Sequence, residues 1–303
     1  MGKLDKSLNN EKYVMETFKE GTRFLRGDNV WVVDICGKPV VQFGGGEPKT
    51  DVFVRLVCVS GKRNGDIDDY KFTIKKPDAN FLQNKVSRWQ LNDMFGEKKA
   101  TELLDAAVRD IFGRNLESFE RDVKVKRGVR RDKKDRELSD KYNLGYRVDF
   151  TKKSNGKRSY KPELTIEEKI DILSGRSMPE EKRNARVNGE IIENSGVANY
   201  YLETDLTGPT HIEDLLKKCK SVDDKELCDS LEFYITLKAL NYYYFPMSGC
   251  SRYDGARPLA IYTTYDNDFN PKIEFDISKS LIMNGKDRAK ILQEQIDKNY
   301  GRR

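Results

Sequence analysis

The sequence predicts an α/β fold, and three patterns carry that expectation. Residues 51–56 and 70–75 alternate apolar and polar side chains as half-buried strands do, around a loop that contains the turn pair Asn64-Gly65. Leu103, Leu104, Ala107, Val108 and Ile111 recur at helical spacing within 101–112. Apolar density returns in strand-like runs at 258–265 and 272–277, followed by a helical stretch over 289–298.

The elements follow in chain order. A helix is expected over 10–20, with Asn10 as its cap and Gly21 at its end. Trp31 to Ile35 and Pro39 to Phe43 read as strands leading into Gly44-Gly45-Gly46, a turn in which glycine permits positive φ. In the hairpin that follows, Val52, Val54 and Leu56 share one face, and Asp51, Phe53 and Arg55 the other. Tyr70, Phe72 and Ile74 form the apolar face of the second strand, and Lys71, Thr73 and Lys75 its polar face. Both apolar faces can enter one core, so Asp51 and Lys75 are expected to meet at one end of a sheet. A helix over 79–90 would pack on the hairpin. Thr165 with Glu168 three residues on forms a capping box for a helix to Leu173. Most of the aromatic run Tyr242-Tyr243-Tyr244-Phe245 is expected in the core. The chain is thus expected to divide into a core with the hairpin (1–120), a charged lobe (121–195) and a C-terminal α/β part packing on the core (196–303).

Composition narrows the chemistry. With 303 residues, 37% hydrophobic and 35% charged, the chain can hold one large domain or two modest ones. No apolar run approaches the roughly 20 residues of a membrane span and residues 1–10 are polar, so a cytoplasmic protein without membrane partners is expected. The five cysteines are odd in number and widely spaced, which suits reduced thiols and not a structural zinc site. His211 is the only histidine and reads as part of a helix's first turn, which argues against histidine-based general-base mechanisms and Ser-His-Asp hydrolases. Net charge is +6, with basic residues concentrated at Arg127, Arg130, Arg131, Lys133 and Lys134 and again at Lys152, Lys153, Lys157 and Arg158. Such segments attract phosphate backbones; a solvated charged face is the plain alternative.

Gly44 to Asp51 with Lys71 to Lys76 carries the most specific signal. One carboxylate and one lysine on neighbouring strands suit metal-dependent phosphodiester hydrolysis, in which the carboxylate holds a divalent cation and the lysine stabilises charge beside it. A nucleotide-binding phosphate loop fits less well, because Pro48 stands where glycine must precede Lys49-Thr50 and a strand follows instead of a helix. No nucleotide cofactor is therefore expected.

Across residues 40 to 90, Pro48-Lys49-Thr50-Asp51, then Thr73-Ile74-Lys75, then Ala79 to Lys85, the chain resembles the PD-(D/E)xK nuclease superfamily, the fold of most type II restriction endonucleases. The resemblance implies a restriction-endonuclease-like central mixed sheet flanked by helices, here with a charged insertion. It implies Asp51 as the metal-binding aspartate, Lys75 as the catalytic lysine, Mg²⁺ as cofactor, double-stranded DNA as partner and a homodimer as a candidate assembly. The family's second acid stands two residues before the lysine, where this chain has Thr73. Glu47, Glu16 and Glu20 are the substitutes considered. Glu20 is favoured, since the first helix in such nucleases often lends a glutamate and Glu20 lies at its expected end. Lys49 joins the basic residues as a candidate DNA contact. Three functions remain open: a Mg²⁺-dependent endonuclease, foremost a type II restriction enzyme; a repair, recombination or RNA-processing nuclease; and a nucleic-acid-binding protein with a degenerate site.

Overall fold

The computed structural model describes residues 3–43, 46–130, 137–253, 257–274 and 285–300. The elements run α1 (Lys3–Thr17), β1 (Arg23–Arg26), β2 (Asn29–Gly37), β3 (Val52–Ser60), β4 (Ile67–Lys75) and β5 (Phe81–Val86). Next come α2 (Arg88–Phe95), α3 (Glu97–Gly113), α4 (Leu116–Val123), β6 (Lys126–Val129), β7 (Ser139–Thr151), β8 (Ser159–Tyr160), α5 (Ile166–Ser174) and α6 (Glu180–Arg183). The chain continues through β9 (Arg186–Val187), β10 (Glu190–Ile191), β11 (Tyr200–Glu203), α7 (Ile212–Lys218), β12 (Lys220–Ser221) and α8 (Lys225–Ser230). It ends with β13 (Tyr234–Phe245), β14 (Cys250–Tyr253), β15 (Ile261–Tyr265), β16 (Pro271–Glu274) and α9 (Gly285–Asn299). The fold is mixed α/β.

Two compact units interleave along the chain. The first comprises residues 1–80 and 164–231, the second 81–163 and 232–303. The division differs from the three consecutive segments expected at 1–120, 121–195 and 196–303, because strand pairing joins segments that composition keeps apart.

Among the described residues the first unit holds a six-stranded sheet in the order β1-β2-β3-β4-β11-β12. β1 to β4 form an antiparallel meander, and β11 joins β4 in parallel. Alternation sorts the side chains as expected: Val52, Val54, Leu56, Tyr70 and Phe72 pack with Trp31 and with Val14 and Phe18 of α1. Phe53, on the opposite face, packs with Ile35, Val187 and Ile192. β3 is therefore buried on both sides at its start. Helix α1 begins earlier than expected, and Asn10 lies inside it instead of capping it. Its buried side chain donates to Thr204 O at 2.7 Å and accepts from Leu206 N at 2.9 Å, fastening α1 to the end of β11. Residues 39–43 form no strand, only a single bridge between Val40 and Arg186.

Among the described residues the second unit is built on an eight-stranded sheet centred on β7, which pairs with β13 over its length. The expected helix over 79–90 is instead β5, paired with β7, followed by α2. Ser87 and Gln90 form a reciprocal capping box that starts α2 at Arg88, a local signal for a helix that begins only after the strand. Residues 121–195 are likewise no separate charged lobe, since β7 is buried along nearly its whole length. Its charges are internally matched: Arg147 and Asp149 pair at 3.1 Å with side chains 4% and 0% exposed. Gly145 in β7 has φ +131°, and a Cβ there would fall 2.0 Å from Ile261 O, so only glycine lets β15 approach. Tyr142, Leu144, Tyr242 and Tyr244 pack with Ala289, Leu292 and Ile296 of α9, which confirms the core fate of most of the aromatic run. The expected elements at 101–112, 165–173 and 289–298 appear as α3, α5 and α9. The C-terminal strand reaches Glu274, and the rest of its expected span lies outside the described residues. Among the described residues no helix is long and apolar enough to cross a membrane.

Asn10→Ala removes both hydrogen bonds to the β11 end and strands a buried carbonyl and amide. It is expected to cost about 2–3 kcal/mol, read as a lower urea midpoint at unchanged m-value.

Candidate functional site

The hairpin delivers Asp51 to the edge of β3. Its backbone amide donates to Phe72 O at 2.7 Å, which sets its position against β4. Its Oδ2 then accepts the amide of Ile74 at 2.6 Å and lies 3.7 Å from Lys75 Nζ. Both side chains stay reachable from solvent, at 24% and 20% exposure. Lys76 points elsewhere, as alternation requires, and pairs with Asp205 at 3.3 Å.

The approach to Asp51 is fixed by a later segment of the chain. The amides of Lys49 and Thr50 both donate to Gly196 O, at 3.0 and 3.1 Å. Helix α5 ends at Gly175 with φ +73°, where a Cβ would fall 2.9 Å from the Cβ of Lys49. Glycine at this left-handed position lets the Lys49 stem pass. Burial lowers the Lys49 ammonium to about 7, helped by repulsion from Lys75 and opposed by Asp51 and Asp171. Expected as a DNA contact, Lys49 is half-buried as a residue, and its ammonium lies within reach of the charges of Asp51, Lys75 and Asp171. Gly44 and Gly45 of the expected turn lie outside the described residues.

The substitutes for the second acid separate clearly. Glu16 pairs with Lys12 on the outer side of α1 at 3.6 Å. Glu20 lies past the end of α1, and its Oε1 accepts from Cys36 N at 3.0 Å and Asn188 Nδ2 at 2.8 Å. These bonds tie Glu20 to β2, beside the register shift between Val33 and Ile35, and not to Asp51. Burial, aided by the Glu20 charge, pushes the Cys36 thiol up to about 12. Glu47 is 81% exposed and 3.8 Å from Lys38. The α1 glutamate that does approach is Glu11. Lys38 Nζ donates to it at 2.9 Å, and its carboxyl is raised chiefly by burial, with repulsion from Asp51 and Glu47 partly offsetting the lysine. Glu20 is not on the helix at all, because α1 ends at Thr17.

Another carboxylate arrives from β11. In the parallel register Tyr201 lies opposite Thr73 and Glu203 opposite Lys75, and Tyr201 Oη donates to Glu203 Oε2 at 3.0 Å. Thr73 is 1% exposed and its Oγ1 is buried without a hydrogen-bond partner. No local sequence pattern joins 201–203 to 73–75; the signal is a parallel pairing between remote segments. Among the described residues no three His, Cys, Asp or Glu side chains converge as a metal-holding group.

The basic candidates differ in exposure. Arg127 donates to Asp140 Oδ2 at 2.6 Å and to Tyr142 Oη at 3.1 Å, and lies over the rings of Phe269 and Tyr300. Arg158 pairs with Asp122 and covers Phe119 and Tyr146. Both are engaged within their own unit, Arg158 half-buried and Arg127 still exposed, a use that charge counting cannot distinguish from phosphate binding. Arg130, Lys153 and Lys157 are exposed and Lys152 is half-buried. Arg131, Lys133 and Lys134 lie outside the described residues. His211 stands at the N-cap position of α7.

Lys49 gives the site a pH signature. Its amine titrates near 7 when folded and near 10.5 when unfolded, so the unfolded chain holds the extra proton between those values and stability rises with pH across that window. In EDTA, Lys49→Met should stabilise most at and below pH 7, and its advantage in urea midpoint should shrink to nothing by about pH 10.5. A constant difference across that range would contradict the burial of the ammonium. Comparison of the chain with protein-family models, curated proteins and solved structures finds no match.

Proposed function

We propose that this chain is a Mg²⁺-dependent phosphodiester hydrolase that cleaves double-stranded DNA, with a restriction-endonuclease-like core in its first unit. The observation that supports it is Asp51 held by the Ile74 amide with Lys75 Nζ 3.7 Å away, at one end of an antiparallel strand pair. The donors suit a hard cation: a partly exposed carboxylate and, beside it, an unpartnered hydroxyl at Thr73. A divalent cation held there supplies polarisation of the scissile phosphate and acidification of a bound water. Asp51 would hold it, its second oxygen left for that purpose by the one-sided hydrogen bond from Ile74. Lys75 would neutralise charge that develops on the phosphate, at an angle fixed by β4. The exposed Lys153, Lys157 and Arg130 offer backbone contacts that carry no sequence information. A second reading, a DNA-binding protein without chemistry, is favoured by Thr73 standing where the resembled family has an acid.

Plasmid incubated with the protein and Mg²⁺ separates these readings: discrete bands support a site-specific endonuclease, a smear a nonspecific one, and intact plasmid with a gel shift the binder. In the enzyme, Asp51→Asn and Lys75→Ala should each lower cleavage by at least about 10²-fold while leaving affinity in Ca²⁺ nearly unchanged. Lys76→Ala should cleave normally, since Lys76 is turned toward Asp205.

The basic side chains give a separate expectation. Replacing Lys152, Lys153 and Lys157 by Gln should flatten the dependence of log K on log salt by about 0.9 for each phosphate that is no longer neutralised. Arg158→Gln should instead lower thermal stability, because it strips Asp122 and two aromatic rings of their partner.

A further inference from the structure

We propose that Glu203, positioned by Tyr201, supplies the second carboxylate of the Asp51 site in place of the acid missing at Thr73. The inference rests on the phosphodiesterase reading and names which of this chain's residues would hold the cation. Its basis is the order of three neighbouring strands, β3-β4-β11. Side chains directly opposite in a parallel pair share a face, with strands about 4.8 Å apart. Tyr200 and Leu202 pack into the core with Phe72 and Ile74. Tyr201 and Glu203 therefore take the other face, the one that carries Thr73 and Lys75. Lys75 thus stands between Asp51 on one neighbouring strand and Glu203 on the other.

A second observation points to a ligand at this place. Thr73 lies between the two carboxylate strands, 1% exposed, with an Oγ1 that has no partner. A buried hydroxyl left unpaired costs about 1–3 kcal/mol, so its retention here calls for a group that satisfies it. A cation or its bound water on this face would do so. The Tyr201 hydroxyl fixes one oxygen of Glu203 and leaves the carboxylate oriented, as outer hydrogen bonds orient ligating carboxylates elsewhere. Two carboxylates with waters and substrate oxygens satisfy Mg²⁺, so the lack of a three-acid cluster among the described residues is no obstacle.

Glu11 is the rival, and its surroundings count against it. It belongs to α1 and lies near enough to Asp51 for that charge to raise its carboxyl. Its carboxylate is already matched by Lys38 at 2.9 Å. A cation there would have to displace or repel that ammonium.

The test is Mn²⁺ binding without DNA, followed by the electron paramagnetic resonance signal of free Mn²⁺, on the full chain and its variants. Glu203→Gln should raise the Mn²⁺ Kd about tenfold or more, Glu203→Asp and Tyr201→Phe less, and Glu11→Gln should change it by less than about twofold. Tyr201→Phe added to Glu203→Gln should have no further effect, because the tyrosine acts only through the glutamate. Weakened binding in Asp51→Asn with wild-type binding in Glu203→Gln would overturn the Glu203 assignment alone. Abolished binding in Glu11→Gln with Glu203→Gln unaffected would do the same and move the acid to α1. Mn²⁺ binding untouched by Asp51→Asn would overturn the phosphodiesterase reading itself. Glu203 is exposed on the last residue of its strand, so Glu203→Gln and Glu203→Asp keep the fold.

Discussion

The position of β11 beside β4 is the constraint on which the first unit depends. β11 is only four residues long, too short to hold its register by backbone pairing alone, and it is clamped at both ends by asparagines. Asn199 behaves as an extra length of strand: its side chain accepts from Lys71 N at 2.7 Å and donates to Asp69 O at 2.9 Å. At the far end Asn10 of α1 grips the chain at Thr204 and Leu206. A shift of one residue would turn Tyr201 and Glu203 into the core and bring Leu202 out to Lys75. The two clamps thus fix the register as well as the position. Everything placed around Asp51 from the later half of the chain, including the Gly196 carbonyl that receives Lys49 and Thr50, follows from that docking.

What is legible in the sequence is local. The β3–β4 hairpin follows from alternation, α3 from its helical period and α5 from Thr165 and Glu168, and with the hairpin comes the meeting of Asp51 and Lys75. Elements decided by tertiary pairing escape such a reading. Residues 81–86 form a strand because β7 offers an edge for them, and helix propensity cannot compete with that pairing. The segment 121–195 looks solvated when charge is counted without its partners, whereas Arg147, Arg158 and Asp149 are buried or half-buried and matched. Glu20 owes its appeal to a helix end that lies three residues earlier in the fold. Glu11 and Glu203 cannot be found by spacing, since neither shares a local pattern with Asp51.

The second unit illustrates how a charged sequence can furnish a dry sheet. Asp149, fully buried, accepts the Lys85 amide at 2.7 Å through its other oxygen while facing Arg147. Burial raises its carboxyl, and Arg147 with that amide pulls it back. The amide comes from a residue with φ +59°, at an irregular point of the β5–β7 pairing. A buried ion pair of this kind adds little net stability compared with apolar side chains of the same size. Its consequence is specificity of register, since sliding β5 would leave the carboxylate facing no donor.

The interleaved arrangement of the two units governs how the chain can mature. As the polypeptide emerges from the ribosome, β4 appears well before β11, and in the interval its open edge has no strand beside it. The second unit begins within that interval and must in turn wait for β13 before β7 is covered on both sides. Neither unit can finish before the other has started. Such long-range closure slows folding and exposes strand edges while it proceeds. The basic β1 edge, Arg23-Phe24-Leu25-Arg26, and the charges scattered through the late-paired strands act as guards against intermolecular pairing during that time. A single cut at residue 163 would leave both units incomplete, and no single cut yields two whole units, so the chain behaves as one inheritable piece that cannot be divided into two modules by simple truncation.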